Sequence, residues 1–115
     1  MLKPELTGGV IVYSFEPEGK LNAEIAENVR TELSARFDEP GTLMILDLGN
    51  ISYVDSLGFS SLLSVMRKAR SSSGVFRLCN IKPDVMRIFR LLRLQNVFYI
   101  CDTRDECLKS FEQSQ

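Results

Sequence analysis

The sequence predicts an α/β fold, a single domain in which a mixed, mostly parallel sheet of about four to five strands packs with about four helices. Three observations carry that expectation. Short runs of β-branched and aromatic residues alternate with longer segments whose apolar positions follow a helical period. The connections between them are short. A chain of 115 residues, 44% hydrophobic and 25% charged, has material for one core. Residues 1–115 are therefore expected to form one domain, with no linker, internal repeat or low-complexity stretch.

The segment GVIVYSF, residues 9–15, is rich in β-branched and aromatic side chains and is bounded by glycines and by EPEGK, so it reads as a strand. Leu2 to Leu6 form a shorter strand that pairs with it across the Gly8-Gly9 turn; Pro4, lacking a donor for the ladder, confines that strand to an edge. From Asn22 to Phe37 the apolar residues Ile25, Ala26, Val29, Leu33 and Phe37 keep a helical rhythm, with Asn22 as N-cap and Pro40-Gly41 closing the segment. TLMILDL, residues 42–48, is apolar almost throughout, as expected for a central strand covered on both faces. GNISYVDS, residues 49–56, reads as a loop beyond the carboxyl end of that strand, where α/β sheets gather functional groups. A helix from about Ser56 to Ser71 follows, then a strand in VFRLCNI, residues 75–81. Pro83 and Asp84 suit a helix's first turn, and Val85, Ile88, Phe89 and Leu92 continue it, with Phe89 and Leu92 assigned to the core. NVFYIC, residues 96–101, reads as the last strand and TRDECLKSFEQ, residues 103–113, as a terminal helix capped by Thr103.

Charge and composition exclude several function classes. The formal net charge is -1, so no global positive field gathers nucleic acid or an anionic membrane surface, and the local cluster RKAR at 67–70 reads as a helix face. The apolar runs LMIL and VIVY are far shorter than the roughly 20 residues of a membrane-spanning helix. MLKPELTGG is broken by Pro4, Glu5 and two glycines and does not read as a signal peptide. Cys79, Cys101 and Cys107 form no C-x-x-C pair, and the chain has no histidine to complete a zinc site. The expectation is a cytoplasmic protein with reduced, buried cysteines and no cofactor or metal.

Ser56 draws attention because it stands at the mouth of a helix. Asp55 is suited to cap that helix by accepting from its exposed amides, which leaves Ser56 at the first helical position. A nucleophilic serine needs a base, usually histidine, and DSLGFSSLL is not an S-x-x-K arrangement, so the chain is not expected to be a hydrolase. Neither G-x-x-x-x-G-K-[ST] nor G-x-G-x-x-G is present, and Asp55 with Asp47 upstream would repel a free phosphate ligand. Two readings stay open. Serine is a common residue at helix starts, and it is also a substrate for another protein's active site, where phosphorylation would add roughly -1.5 to -2 charges.

The stretch LMILDLGNISYVDSLGFSSLL, residues 43–63, resembles the signature of the STAS domain, particularly of the bacterial anti-sigma factor antagonists: an apolar strand, a short loop, and D-S-[ST]-G opening a helix. EGKLN, residues 18–22, is similar to the family's G-x-L-[DN] turn, and IKPDVMRIFRLLRLQNVFYI, residues 81–100, to its P-x-V-x-x-[IL]-[FL]-x-x-x-x-L segment with the last strand. The resemblance implies a switch in place of an enzyme. Ser56 is then the residue phosphorylated by a partner, a GHKL-type serine kinase that is also the anti-sigma factor. Unphosphorylated antagonist binds that partner, phosphorylated antagonist does not, and a PP2C-type phosphatase resets the cycle. The domain is expected to work as a monomer. The alternative within the same family is a transport subunit that docks on a permease or ATPase without phosphorylation.

The partner-binding residues implied are Asn22, Asp55, Ser56, Leu57, Gly58 and Ser61. Leu57 departs from the serine or threonine usual after the phosphoacceptor. A helical wheel sets it with Ser61, Ser64 and Lys68, opposite Phe59, Leu62, Leu63 and Met66, so Leu57 is expected to be exposed, either as a partner anchor or folded back on Tyr53 or Val54. Asn22, where the family often has aspartate, keeps a capping role. Gly58 would allow close approach either of a partner or of the domain's own loop. Arg87, Arg90 and Arg93 are spaced to share a helix face, solvated or turned to an acidic partner.

Overall fold

Alternating burial organises the sheet. In the computed structural model, which describes residues 1–112, the order is β1 (Leu2–Thr7), β2 (Val10–Phe15), β3 (Gly19–Leu21), α1 (Ala23–Arg36), β4 (Leu43–Asp47), β5 (Ile51–Val54), α2 (Ser56–Ser71), β6 (Val75–Cys79), α3 (Pro83–Leu91), β7 (Tyr99–Cys101) and α4 (Arg104–Glu112). Five strands form one sheet in the order β1-β2-β4-β6-β7, antiparallel between β1 and β2 and parallel elsewhere. Tyr13, Phe15, Met44, Leu46, Phe76 and Leu78 point to one face and pack with α1, α2 and α3. Val10, Val12, Ile45 and Cys79 point to the other and pack under Cys107 and Phe111 of α4. With both faces covered, β4 has no polar side to show, which accounts for the continuous apolar run.

The local signals act as their chemistry dictates. Gly8 and Gly9 have φ of 55 and 81, the left-handed pair that a tight hairpin between twisted strands requires. Pro4 lies on the edge strand β1 opposite Tyr13. The Asn22 side chain accepts from Glu24 N–H at 3.1 Å to cap α1, and Thr103 Oγ1 accepts from Glu106 N–H at 3.1 Å at the start of α4. Gln113, the last residue of the expected terminal helix, lies outside the described residues. The three cysteines are free and buried, and burial raises both the Cys107 thiol and the Cys79 thiol, the latter to about 12.

Several expectations are corrected. GNISYVDS is not all loop: its centre is β5, which pairs in parallel with β3 as a separate two-stranded ribbon. β6 stops at Cys79 because Asn80 turns into the left-handed region, φ 58. β7 begins only at Tyr99, since Val97 and Phe98 donate to the Leu94 carbonyl in a turn. α3 ends at Leu91, leaving Leu92 52% exposed and Arg93 at φ 58, so Leu92 is not core and Arg93 does not share a helix face with Arg87 and Arg90. Arg87 pairs with Asp84 at 3.2 Å. Asp47 is balanced, not repulsive: it accepts from Arg104 Nη2 (3.0 Å) and Nε (3.2 Å), Asn80 Nδ2 (2.9 Å) and Gly49 N–H (2.8 Å).

Phe89 ties α3 to the rest. It is fully buried, with ring centroids 5.0 Å from Phe59 of α2 and 5.9 Å from Phe98, both edge-on. Phe89→Ala is expected to cost about 3–5 kcal/mol in a urea unfolding titration; a loss under about 1 kcal/mol would mean that α3 is not part of the cooperative core.

Candidate functional site

The site grows out of the short ribbon. β3 and β5 run side by side and deliver their carboxyl ends to the amino ends of α1 and α2, with Leu21 opposite Val54. Asp55 follows β5 in extended conformation and caps α2, its Oδ1 accepting from Gly58 N–H at 2.8 Å. Its Oδ2 accepts from Ala23 N–H, the first residue of α1, at 2.9 Å. Its own N–H donates to the Leu21 carbonyl at 3.2 Å. One carboxylate thus holds two helix starts against one ribbon, and each charge-assisted bond contributes about 1.5–3 kcal/mol.

Gly58 explains how tightly these parts approach. A Cβ there would lie 2.3 Å from the Leu21 carbonyl oxygen and 2.8 Å from Val54 Cγ1, distances no side chain tolerates. Of the two readings of Gly58, packing against the domain's own backbone is the one the structure supplies, and the residue is buried. Ser61 departs from its placement on the outward face with Leu57. It is 4% exposed, and its hydroxyl donates to the Gly58 carbonyl at 2.7 Å, because α1 covers that part of α2. Asn22 is half-buried in its capping role.

Ser56 and Leu57 are the residues left at the surface. Ser56 is exposed at the first position of α2, and among the described residues no partner engages its hydroxyl. Leu57 is 53% exposed, as the helical wheel places it. Tyr53 is 51% exposed on β5, opposite Lys20 of β3. Tyr53 carries no sequence signal of its own, because its outward direction depends on β5, a strand of four residues that is too short to show a period. Arg30, which carries no sequence motif, and Arg67, the first residue of the basic cluster at 67–70, line the groove between α1 and α2 into which Leu57 opens. The arrangement offers a hydroxyl to solvent beside apolar side chains.

A mixed five-stranded sheet packed with four helices, in which the ends of a short parallel ribbon meet two helix starts, defines a small α/β domain. The particular family is equally plain. The STAS domain family model matches residues 3–107, nearly the whole chain, and the protein belongs to the STAS domain family. It is 30% identical over 95 residues, 83% of this chain and 82% of the other, to BtrV of Bordetella bronchiseptica, whose name assigns it provisionally to the anti-sigma factor antagonists. The fold matches that of the anti-sigma factor antagonist SpoIIAA in its unphosphorylated form, with TM-score 0.71 and 19% identity over the whole of both chains. The phosphorylated form of Bacillus SpoIIAA gives TM-score 0.72 and 23% identity, covering 96% of this chain and 99% of the other. A sulfate transporter family protein from Wolinella succinogenes shares the fold as well, with TM-score 0.78 and 14% identity over 95% of this chain and 89% of its own.

The double role of Asp55 has a measurable order. Asp55→Ala is expected to destabilise by about 2 kcal/mol or more, and Asp55→Asn by less, because the amide keeps one acceptor oxygen. Hydrogen exchange at the Ala23 and Gly58 amides should quicken in both variants; unchanged protection at Ala23 would show that the bridge to α1 carries no weight. Gly58→Ala, which forces α2 off Leu21, is expected to cost about 1–3 kcal/mol or more in the same unfolding assay.

Proposed function

We propose that the protein is an anti-sigma factor antagonist that changes partners when Ser56 is phosphorylated. The observation that carries this reading is the Ser56 hydroxyl itself, exposed and unengaged at the first position of α2. The relationship to BtrV supports the class, and the fold shared with SpoIIAA, which exists in unphosphorylated and phosphorylated forms, supports the modification.

The physics of the switch follows from where Ser56 stands. A phosphoserine there adds roughly -1.5 to -2 charges beside the positive end of the α2 dipole, a location in which the folded domain tolerates an anion. The cost falls on the complex. A partner that packs on Tyr53 and Leu57 must also cover Ser56, and covering a dianion strips its water; without a cation to receive it, the complex loses several kcal/mol. Asp55, its oxygens already engaged by backbone amides, adds like charge next to the phosphate. The partner in this reading is a GHKL-type serine kinase acting as anti-sigma factor, the resetting enzyme a PP2C-type phosphatase, and the compartment the cytoplasm.

A second reading has one observation in its favour, the fold shared with the Wolinella sulfate transporter family protein. In it the same rim docks on a transport assembly and Ser56 stays unmodified.

Incubation with ATP and the serine kinase fraction of the native cell, followed by intact mass measurement, separates the two. Wild-type protein should gain one phosphate and Ser56→Ala none; wild type without added mass would reject the phosphorylation switch. Ser56→Asp should melt within about 1 kcal/mol of wild type, yet fail to hold the kinase that Ser56→Ala retains. A large stability loss in Ser56→Asp would instead make the modification an unfolding signal.

A further inference from the structure

Helices α1 and α2 leave an open groove of about 300 Å³ between them, and it begins at Leu57, the neighbour of Ser56. Its α2 wall is formed by Leu57, Ser60, Ser64 and Arg67, whose three- and four-residue spacing keeps them on one side of the helix. A rise of 1.5 Å per residue sets Arg67 about 15 Å, a little under three turns, from Leu57. The α1 wall presents the methyl groups of Ala23 and Ala26. Ser61, at the bottom, already donates to the Gly58 carbonyl, so covering the groove leaves that hydroxyl satisfied.

Charge decides what fits. Arg30 and Glu27 neutralise each other through two hydrogen bonds from one guanidinium to one carboxylate. Arg67 is exposed, and among the described residues no acceptor engages it. The groove therefore has a half-exposed leucine at the end next to Ser56 and one uncompensated cation at the other. Small side chains along both walls let a third backbone come close, and the cleft between two helices has the shape that receives another helix.

We infer that the groove is the docking channel for a helix of the partner, which seats an apolar side chain on Leu57 and pairs a carboxylate, about three turns along, with Arg67. The inference deepens the partner-switching reading and rests on it for the partner's identity. It also gives Leu57 a role that Ser56 does not have. Ser56 sets when docking occurs, whereas Leu57 selects with whom, because a partner with a polar group at that point must bury it unpaired.

The test uses a phage-displayed library of amphipathic helices of about twenty residues, panned on the full-length protein and rescreened on Leu57→Asp and Arg67→Glu. Recovered helices should carry an apolar and an acidic residue about ten positions apart and bind each of the two variants roughly tenfold or more weakly than wild type. A library that yields no binder, or binders indifferent to both Leu57→Asp and Arg67→Glu, overturns the inference. A carboxylate at position 57 falls in the first turn of α2, where it is favoured, and Arg67 lies on the surface, so both variants are expected to fold, as circular dichroism would verify. The selection needs neither kinase nor phosphate. Its failure would leave the mass gain at Ser56 standing, and loss of that mass gain would leave the groove standing.

Discussion

Asp55 joins two helix starts through one carboxylate, Oδ1 receiving Gly58 N–H from α2 and Oδ2 receiving Ala23 N–H from α1. Each helix brings the positive end of its dipole to that point, and two such ends side by side would repel without an anion between them. The ribbon supplies the position of that anion, since Asp55 leaves β5 bonded to the Leu21 carbonyl of β3. Gly58 supplies the distance, because only a residue without Cβ lets α2 rest on the same carbonyl. The exposure of Ser56 is a consequence of this clamp. With Asp55 drawn inward to two amides, the next residue is turned outward at the first helical position.

Two acidic residues stand near the carboxyl ends of the strands, and both are fully occupied. Asp47, at the end of β4, is held by Arg104, Asn80 and the Gly49 amide, and so fastens α4 to the sheet. Asp55 is held by backbone amides and fastens α1 to α2. Buried or half-buried charges at a rim are stable only when their oxygens find such partners. With both carboxylates engaged, the groups that face solvent at the Ser56 edge include a neutral hydroxyl, a leucine and a tyrosine, with the exposed Lys20 opposite the tyrosine on the ribbon.

Most of the architecture was legible in the residues, because it follows from local periodicity. β2, α1, β4 and α2 announce themselves by β-branched runs or helical spacing, and the caps at Asn22, Asp55 and Thr103 follow from side chains that accept from nearby amides. The β3–β5 ribbon was not legible. Three and four residues are too few to show a period, and their pairing joins segments about thirty positions apart with a register shift. Ser61 misled the helical wheel for a related reason: a wheel knows one buried face, while α2 buries a second against α1. Leu92 and Arg93 fit a helical rhythm that stops just before them, at Leu91, because the chain enters the left-handed region at Arg93.

The division of the rim between Ser56 and Leu57 follows from what each side chain can change. A hydroxyl contributes little free energy to a wet contact, so in the proposed switch its value lies in being convertible to a dianion by another enzyme. A half-exposed leucine cannot be converted, but completing its burial is worth about 1 kcal/mol or more and needs a partner of matching shape. Placing both on consecutive residues of one helix start subjects the fixed contact and the reversible one to the same desolvation. In the proposed switch, a partner that gains from covering Leu57 must cover Ser56 as well, so one phosphate is enough to cancel the contact.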